Sequence, residues 1–96
     1  MYKLSNLAAE DFKSIFEYTL TNFGVLQADC YTQELEGTFT LISQTPDIGL
    51  ACPEIGIEVR RHDHNKHWIF YRKRTTDIYV IRLLHQQMEP LKHFFD

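Results

Sequence analysis

Nowhere does this chain hold an apolar run near the roughly 18 residues of a membrane-spanning helix, and no charged-then-apolar leader opens it. A membrane protein is therefore not expected, nor a secreted one. Cysteine is scarce: Cys30 and Cys52 alone cannot build a disulfide framework, so reduced thiols in a cytoplasmic protein are the expectation. A glycine-rich phosphate loop, a nucleophile elbow and a Cys-x-x-Cys pair are all missing from the sequence. Repeats and low-complexity stretches are missing too. Those absences remove the enzyme classes that announce themselves by motif.

What is present is a short, apolar-rich chain. Its 96 residues are 44% hydrophobic and 14% aromatic, too rich for disorder and sized for one domain spanning residues 1–96. The net charge of −3 hides a division. Residues 1–54 carry two basic against eight acidic side chains, and residues 55–96 carry eight basic against five acidic, with all five histidines. This asymmetry suggests a scaffold half and a contact half.

Residues 2–4, Tyr2-Lys3-Leu4, read as a short strand. Ser5 is a plausible N-cap, and Ala9, Phe12, Phe16, Leu20 and Phe23 recur at helical spacing, widened by Ile15 and Tyr18. Gly24 ends that helix. A second helix begins near Leu26, with Ala28, Tyr31, Leu35, Phe39 and Ile42 as its stripe and Pro46 as its stop. Gly37, inside it, is expected to permit close approach to the first helix. The short link makes the two helices an antiparallel hairpin. Residues 46–56 hold two prolines and two glycines and read as a loop. Strands follow at 57–61, 67–73 and 78–84, joined by polar turns at 63–66 and 75–77, as an antiparallel meander. The tail, 86–96, could close as a last helical turn or lie along the sheet.

The expected fold is thus α+β, ordered β-α-α-β-β-β, with an antiparallel helical hairpin packed on one face of an antiparallel sheet. The last two strands are apolar on both parities. By simple alternation Ile69, Tyr71, Ile81 and Leu83 form one set, and Trp68, Phe70, Val80 and Leu84 the other, with Arg72 and Arg82. One set packs on the helices; the other is expected to leave an aromatic, basic face open as a contact surface. Trp68 is its candidate anchor, Arg72 and Arg82 its charges, and Arg60 and Arg61 its rim.

Catalytic and metal readings find little purchase. His62, His64 and His67 lie close in sequence, but no cysteine stands near them and zinc sites need three or four converging ligands. No metal, cofactor or catalytic residue is expected. Metal-free RNA cleavage would need a base, an acid and cations; Arg60, Arg61, Arg72, Arg82 and His85 could supply charge, but the sequence names no proton-transfer pair.

Four stretches in order resemble the RelE/ParE superfamily of bacterial toxin–antitoxin toxins, and its ParE branch in particular. They are Leu7-Ala8-Ala9-Glu10-Asp11-Phe12 with the helix end at Phe23-Gly24, Thr45-Pro46-Asp47-Ile48-Gly49 with Cys52-Pro53-Glu54-Ile55, His67-Trp68-Ile69-Phe70-Tyr71-Arg72, and Val80-Ile81-Arg82-Leu83-Leu84-His85-Gln86-Gln87-Met88-Glu89. The resemblance implies a RelE/ParE-like fold and a toxin that inhibits DNA gyrase, through its A subunit, by stabilising the cleaved-DNA complex. It also implies a cognate antitoxin whose C-terminal segment folds around the toxin. Sequence-specific contact with nucleic acid is not expected. His85, ending the last strand, is the histidine of the pattern best placed for contact. Met88, Phe94 and Phe95 either dock on the core or join a target-binding tail.

The alternative is the superfamily's RelE branch, ribosome-dependent messenger-RNA endoribonucleases. Here Trp68 stands where those enzymes place an arginine, Gln86 and Gln87 stand where a basic residue is expected, and Phe94 and Phe95 cannot exchange a proton. These departures favour the ParE reading.

Overall fold

The computed structural model describes residues 1–95; Asp96 and the side chain of Phe95 lie outside the described residues. The elements run β1 (Tyr2–Leu4), α1 (Asn6–Phe23), α2 (Val25–Gln44), β2 (Leu50–Ala51), β3 (Val59–His64), β4 (His67–Lys73), β5 (Ile78–His85) and α3 (Pro90–Phe95). The sheet order is β1-β5-β4-β3-β2. The meander β3-β4-β5 is antiparallel as expected, but β1 lies parallel to β5, so the sheet is mixed. Ser5 explains that placement. Its N–H donates to the Val80 carbonyl (2.9 Å) and its hydroxyl to the Ile81 carbonyl (2.7 Å), while the same oxygen caps Ala8 N–H (2.9 Å). One residue thus ends the strand, starts the helix and ties both to β5.

Gly24 alone separates the helices. Its φ of 92° is one an L side chain rarely adopts, and nothing crowds the place of its missing Cβ, so conformation alone demands glycine there. Its N–H donates to the Leu20 carbonyl, closing α1, and its own carbonyl accepts from Ala28, opening α2. The α2 stripe is as expected, with Ala28, Leu35, Phe39 and Ile42 buried and Tyr31 partly so. The α1 stripe is rotated: Ala8, Phe12, Ile15 and Thr19 turn to the core, while Ala9, Leu20 and Phe23 remain exposed. Gly37 makes no close approach, since nothing lies within 4 Å of its Cβ position. Gly49 does. A Cβ there would stand 2.6 Å from the Tyr71 hydroxyl, which accepts from Gly49 N–H (2.9 Å) and donates to the Pro46 carbonyl (2.8 Å).

Three further departures bear on function. Within the expected loop, Leu50 and Ala51 pair with Arg61 and Arg60 as an added edge strand. The first meander strand starts later than 57, after Glu58 at φ 64°, and runs on to His64, with the turn tightened to Asn65 and Lys66. The third concerns faces. Ile69 pairs with Leu83, and Tyr71 with Val80, so β5 holds one extra residue between them. That bulge puts Val80 and Leu83 on the same side, where simple alternation separates them. Val80, Leu83, Ile69, Tyr71 and Ile78 join the helices in one core.

The apolar centre of the opposite face is not open, contrary to expectation, although Arg72 remains exposed toward the β1 edge. Phe70 (1% exposed) and Leu84 (0%) form a second core with Val59, and residues 52–55 cover it through Cys52 and Ile55. Phe94 of α3 covers it from the other side, its ring 5.1 Å from that of Phe70. Chain that returns over an apolar face seals it, and neither strand parity nor composition reveals where a loop returns.

Candidate functional site

The expected contact residues are dispersed. Arg60 is half-buried and donates to the Gly49 carbonyl (2.7 Å), pinning the segment that leads into β2. Arg61 lies with its guanidinium 4.4 Å from the Trp68 ring centroid and its Nε 3.0 Å from Asp63. Trp68 is half-buried and packs edge-on to Phe70. Arg72 is exposed on β4. Arg82 does not share an open face with the aromatics. Its Nε and Nη2 donate to the Asp11 carboxylate (2.8 and 3.0 Å), which also accepts the Leu83 N–H (3.0 Å), and its Nη1 donates to the His93 carbonyl (3.1 Å). Beyond the end of β1 the edge of β5 would present bare backbone, and Asp11 supplies the acceptor there. Pairing with this carboxylate raises the Arg82 pKa further. Phe94 docks on the second core, and Phe95 lies outside the described side chains.

Only His85 and Met88 of the expected residues meet at an open site. They line a groove of about 890 Å³ between the tip of the helical hairpin and the β3–β4 turn. Its helical wall is Tyr18, Phe23, Gln27, Tyr31 and Glu34; Lys66 and His67 face them from the turn and β4. The tip is strongly apolar for a surface: Tyr18 is 65% exposed, Phe23 66% and Leu26 82%, with Val25 and Leu20 beside them. Of these, Tyr18, Leu20 and Phe23 were legible as part of a helical stripe, but the stripe reading places them in the core; Leu26 was legible only as the start of the second helix. The stripe is wider than the face α1 can bury, and its last turn has no cover.

The floor of the groove is polar and internally bonded. The Tyr31 hydroxyl and His67 Nδ1 share a hydrogen bond of 2.6 Å; outside the groove lining, Thr38 and His64 Nδ1 share one of 3.1 Å. His85 stands edge-on to His67, ring centroids 5.4 Å apart, and its Nδ1 accepts from Gln87 N–H (3.1 Å). Burial, then the neighbouring His85 and His64, pushes His67 down to about 4, so it is neutral near pH 7. Burial lowers His64 as well, and burial followed by Glu34 raises the Tyr31 phenol. Chemically the groove offers aromatic walls, a floor with a neutral His67, and two exposed opposite charges, Glu34 and Lys66. Among the described residues no group of three His, Cys, Asp or Glu side chains could hold a metal ion, and no helix is long and apolar enough to cross a membrane.

A helical hairpin laid on a β-meander, with a short N-terminal strand parallel to the last one, is the architecture of the RelE/ParE toxins. A solved chain described as "Chromosomal ParDE TA system from P. aeruginosa" shares it with a TM-score of 0.74 at 19% identity, over 88% of this chain and 92% of that one. The sequence narrows the class. The family model described as "ParE toxin of type II toxin-antitoxin system, parDE" matches residues 2–90. Toxin ParE1 of Caulobacter vibrioides is 34% identical over 92 residues, 96% of this chain and 95% of that protein. Toxin ParE1 of Mycobacterium tuberculosis is 36% identical over 91 residues, 92% and 91% of the two chains. The chain belongs to the ParE family of type II toxin–antitoxin toxins.

Proposed function

We propose that this chain inhibits DNA gyrase in the cytoplasm by stabilising its cleaved-DNA complex through the A subunit. We further propose that a cognate antitoxin neutralises it by folding its C-terminal segment into the groove at the hairpin tip. The observation that carries the docking site is the exposed Tyr18, Phe23 and Leu26 beside a wide groove. A segment that orders on binding needs apolar surface to offset its lost entropy, and the hairpin tip exposes Tyr18, Leu20, Phe23, Val25 and Leu26 together. Inhibition of this kind is binding alone: the toxin must hold the cleaved state more tightly than the others. The groove suits that role, because Nδ1 of His67 and Nδ1 of His85 already bond to the chain itself.

Purified chain added to gyrase should slow supercoiling and accumulate linear, protein-linked DNA. Untouched supercoiling at micromolar toxin, with no cleaved complex, would overturn the reading. One observation favours the second reading, messenger-RNA cleavage: His67 and His85 stand ring to ring in an open groove with Lys66 at its mouth. Metal-free cleavage uses such a pair, one accepting a proton and the other donating it. Expression of the chain in growing cells decides: codon-positioned cuts in transcripts support cleavage, and intact transcripts with DNA-damage signalling support gyrase.

A further inference from the structure

One row of side chains on the far face of the sheet is neither sealed nor balanced in charge. Lys3 on β1, Tyr79 on β5 and Arg72 on β4 are register partners. They stand side by side on one face, which at about 4.8 Å between strands sets the Cα atoms of the two basic residues about 10 Å apart. Arg74 adds a third cation, its guanidinium 4.8 Å from the Tyr79 ring centroid. The carboxylate here is Asp77. Arg74 grips it with bonds of 2.7 and 2.6 Å, and Arg74, then Lys3, hold its carboxyl below the ordinary value. Lys3 and Arg72 are exposed and form no ion pair among the described residues. Across the sheet, Arg61 on Trp68 extends the same face, its charge met by Asp63.

Basic side chains rooted on paired strands keep a fixed spacing of their anchor points, within the reach of each side chain. A flexible acidic peptide gains nothing from that, because it can gather its carboxylates around cations in any arrangement. A stiff, regularly charged polyanion does gain, because fewer side chains must be ordered on contact. We propose that Lys3, Arg72 and Arg74 contact the sugar-phosphate backbone of duplex DNA without reading its sequence. On gyrase, this row helps hold the cleaved DNA; that part rests on the gyrase reading, and the DNA contact itself does not.

The test uses the full chain and a labelled duplex of about 20 base pairs, with anisotropy read across about 50 to 200 mM salt. Affinity should fall steeply with salt, and Lys3→Gln/Arg72→Gln should flatten the log–log slope by about 2, near 0.9 per lost phosphate contact. Unchanged melting and unchanged antitoxin binding of the variant show that the fold survives. Absence of duplex binding at the lowest salt, or an identical slope for the variant, overturns the proposal. So does displacement of the duplex by poly-glutamate at equal charge, which would make the row an acidic-peptide site. In the gyrase assay, a variant that traps as well as wild type sinks the gyrase clause alone. Salt-dependent duplex binding by a wild type that traps nothing sinks the gyrase reading and leaves the DNA contact standing.

Discussion

The centre of the sheet's far face and the tip of the helical hairpin each carry large aromatic side chains, yet the first is covered and the second open. On the far face Phe70 and Leu84 are buried because residues 52–55 and Phe94 return over them. At the tip none of the described residues returns: the chain turns at Gly24, and Tyr18, Phe23 and Leu26 are left in solvent. Composition does not separate these surfaces. The basic, aromatic second half reads as the contact half, but its apolar centre is core, and the acidic first half exposes the larger apolar patch. An apolar residue marks a contact site only where the rest of the chain has no means of covering it.

The strongest way to break this comparison is to truncate both cores. Phe70→Ala on the far face should cost about 3–5 kcal/mol, as should Phe39→Ala beneath the helices, because both rings are fully enclosed. Urea unfolding of the two variants measures it. A cost under about 1 kcal/mol for Phe70→Ala would mean that the far face is open after all. Next in size is Asp11→Ala, expected to cost about 2–3 kcal/mol. It strands the Arg82 guanidinium and leaves the Leu83 N–H at the β5 edge without its acceptor. Arg82→Met/Asp11→Leu should recover much of that loss in the same unfolding assay, because the pair is then replaced rather than broken.

The groove floor gives a smaller effect with a defined sign. His67 is held near 4 in the folded chain against 6.5 ordinarily. The unfolded chain therefore binds more protons between those values, so stability is full above about pH 6.5 and falls as the pH drops toward 4. Partial exposure limits the expected loss to about 1–2 kcal/mol. Denaturation of wild type and His67→Gln at pH 7.5 and pH 5 should show the wild type losing more than the variant. Equal losses would mean that the histidine is not shielded by the helical wall.

How much of this was legible follows from what periodicity can encode. The α2 stripe from Ala28 to Ile42 and the bounds of β4 could be read, since spacing and strand-forming residues such as Trp68, Ile69 and Phe70 suffice there. The bulge near Ile81 could not. One inserted residue inverts the alternation between its two sides, so Val80, just before the bulge, lands on the wrong face when counted with Leu84 beyond it. Asp11 and Arg82 lie far apart in sequence, and neither position signals that a bare strand edge needs an acceptor. His85 and Met88 were expected as contact candidates without a place, and the structure puts both in the groove lining. Tyr18, Phe23 and Tyr31 were seen only as stripe, because periodicity shows which face of a helix is apolar, not where its cover ends.

The smallest expected effect on stability belongs to the residues expected to matter most for binding. Phe23→Ser/Leu26→Ser removes side chains already in solvent, so it should shift stability by less than about 0.5 kcal/mol. The decisive measurement is titration calorimetry of this variant and of wild type with the antitoxin encoded beside the toxin. If the hairpin tip is the docking surface, affinity drops at least about tenfold, near 1.4 kcal/mol, while the melting temperature holds. Unchanged affinity in a variant that melts like wild type would contradict it.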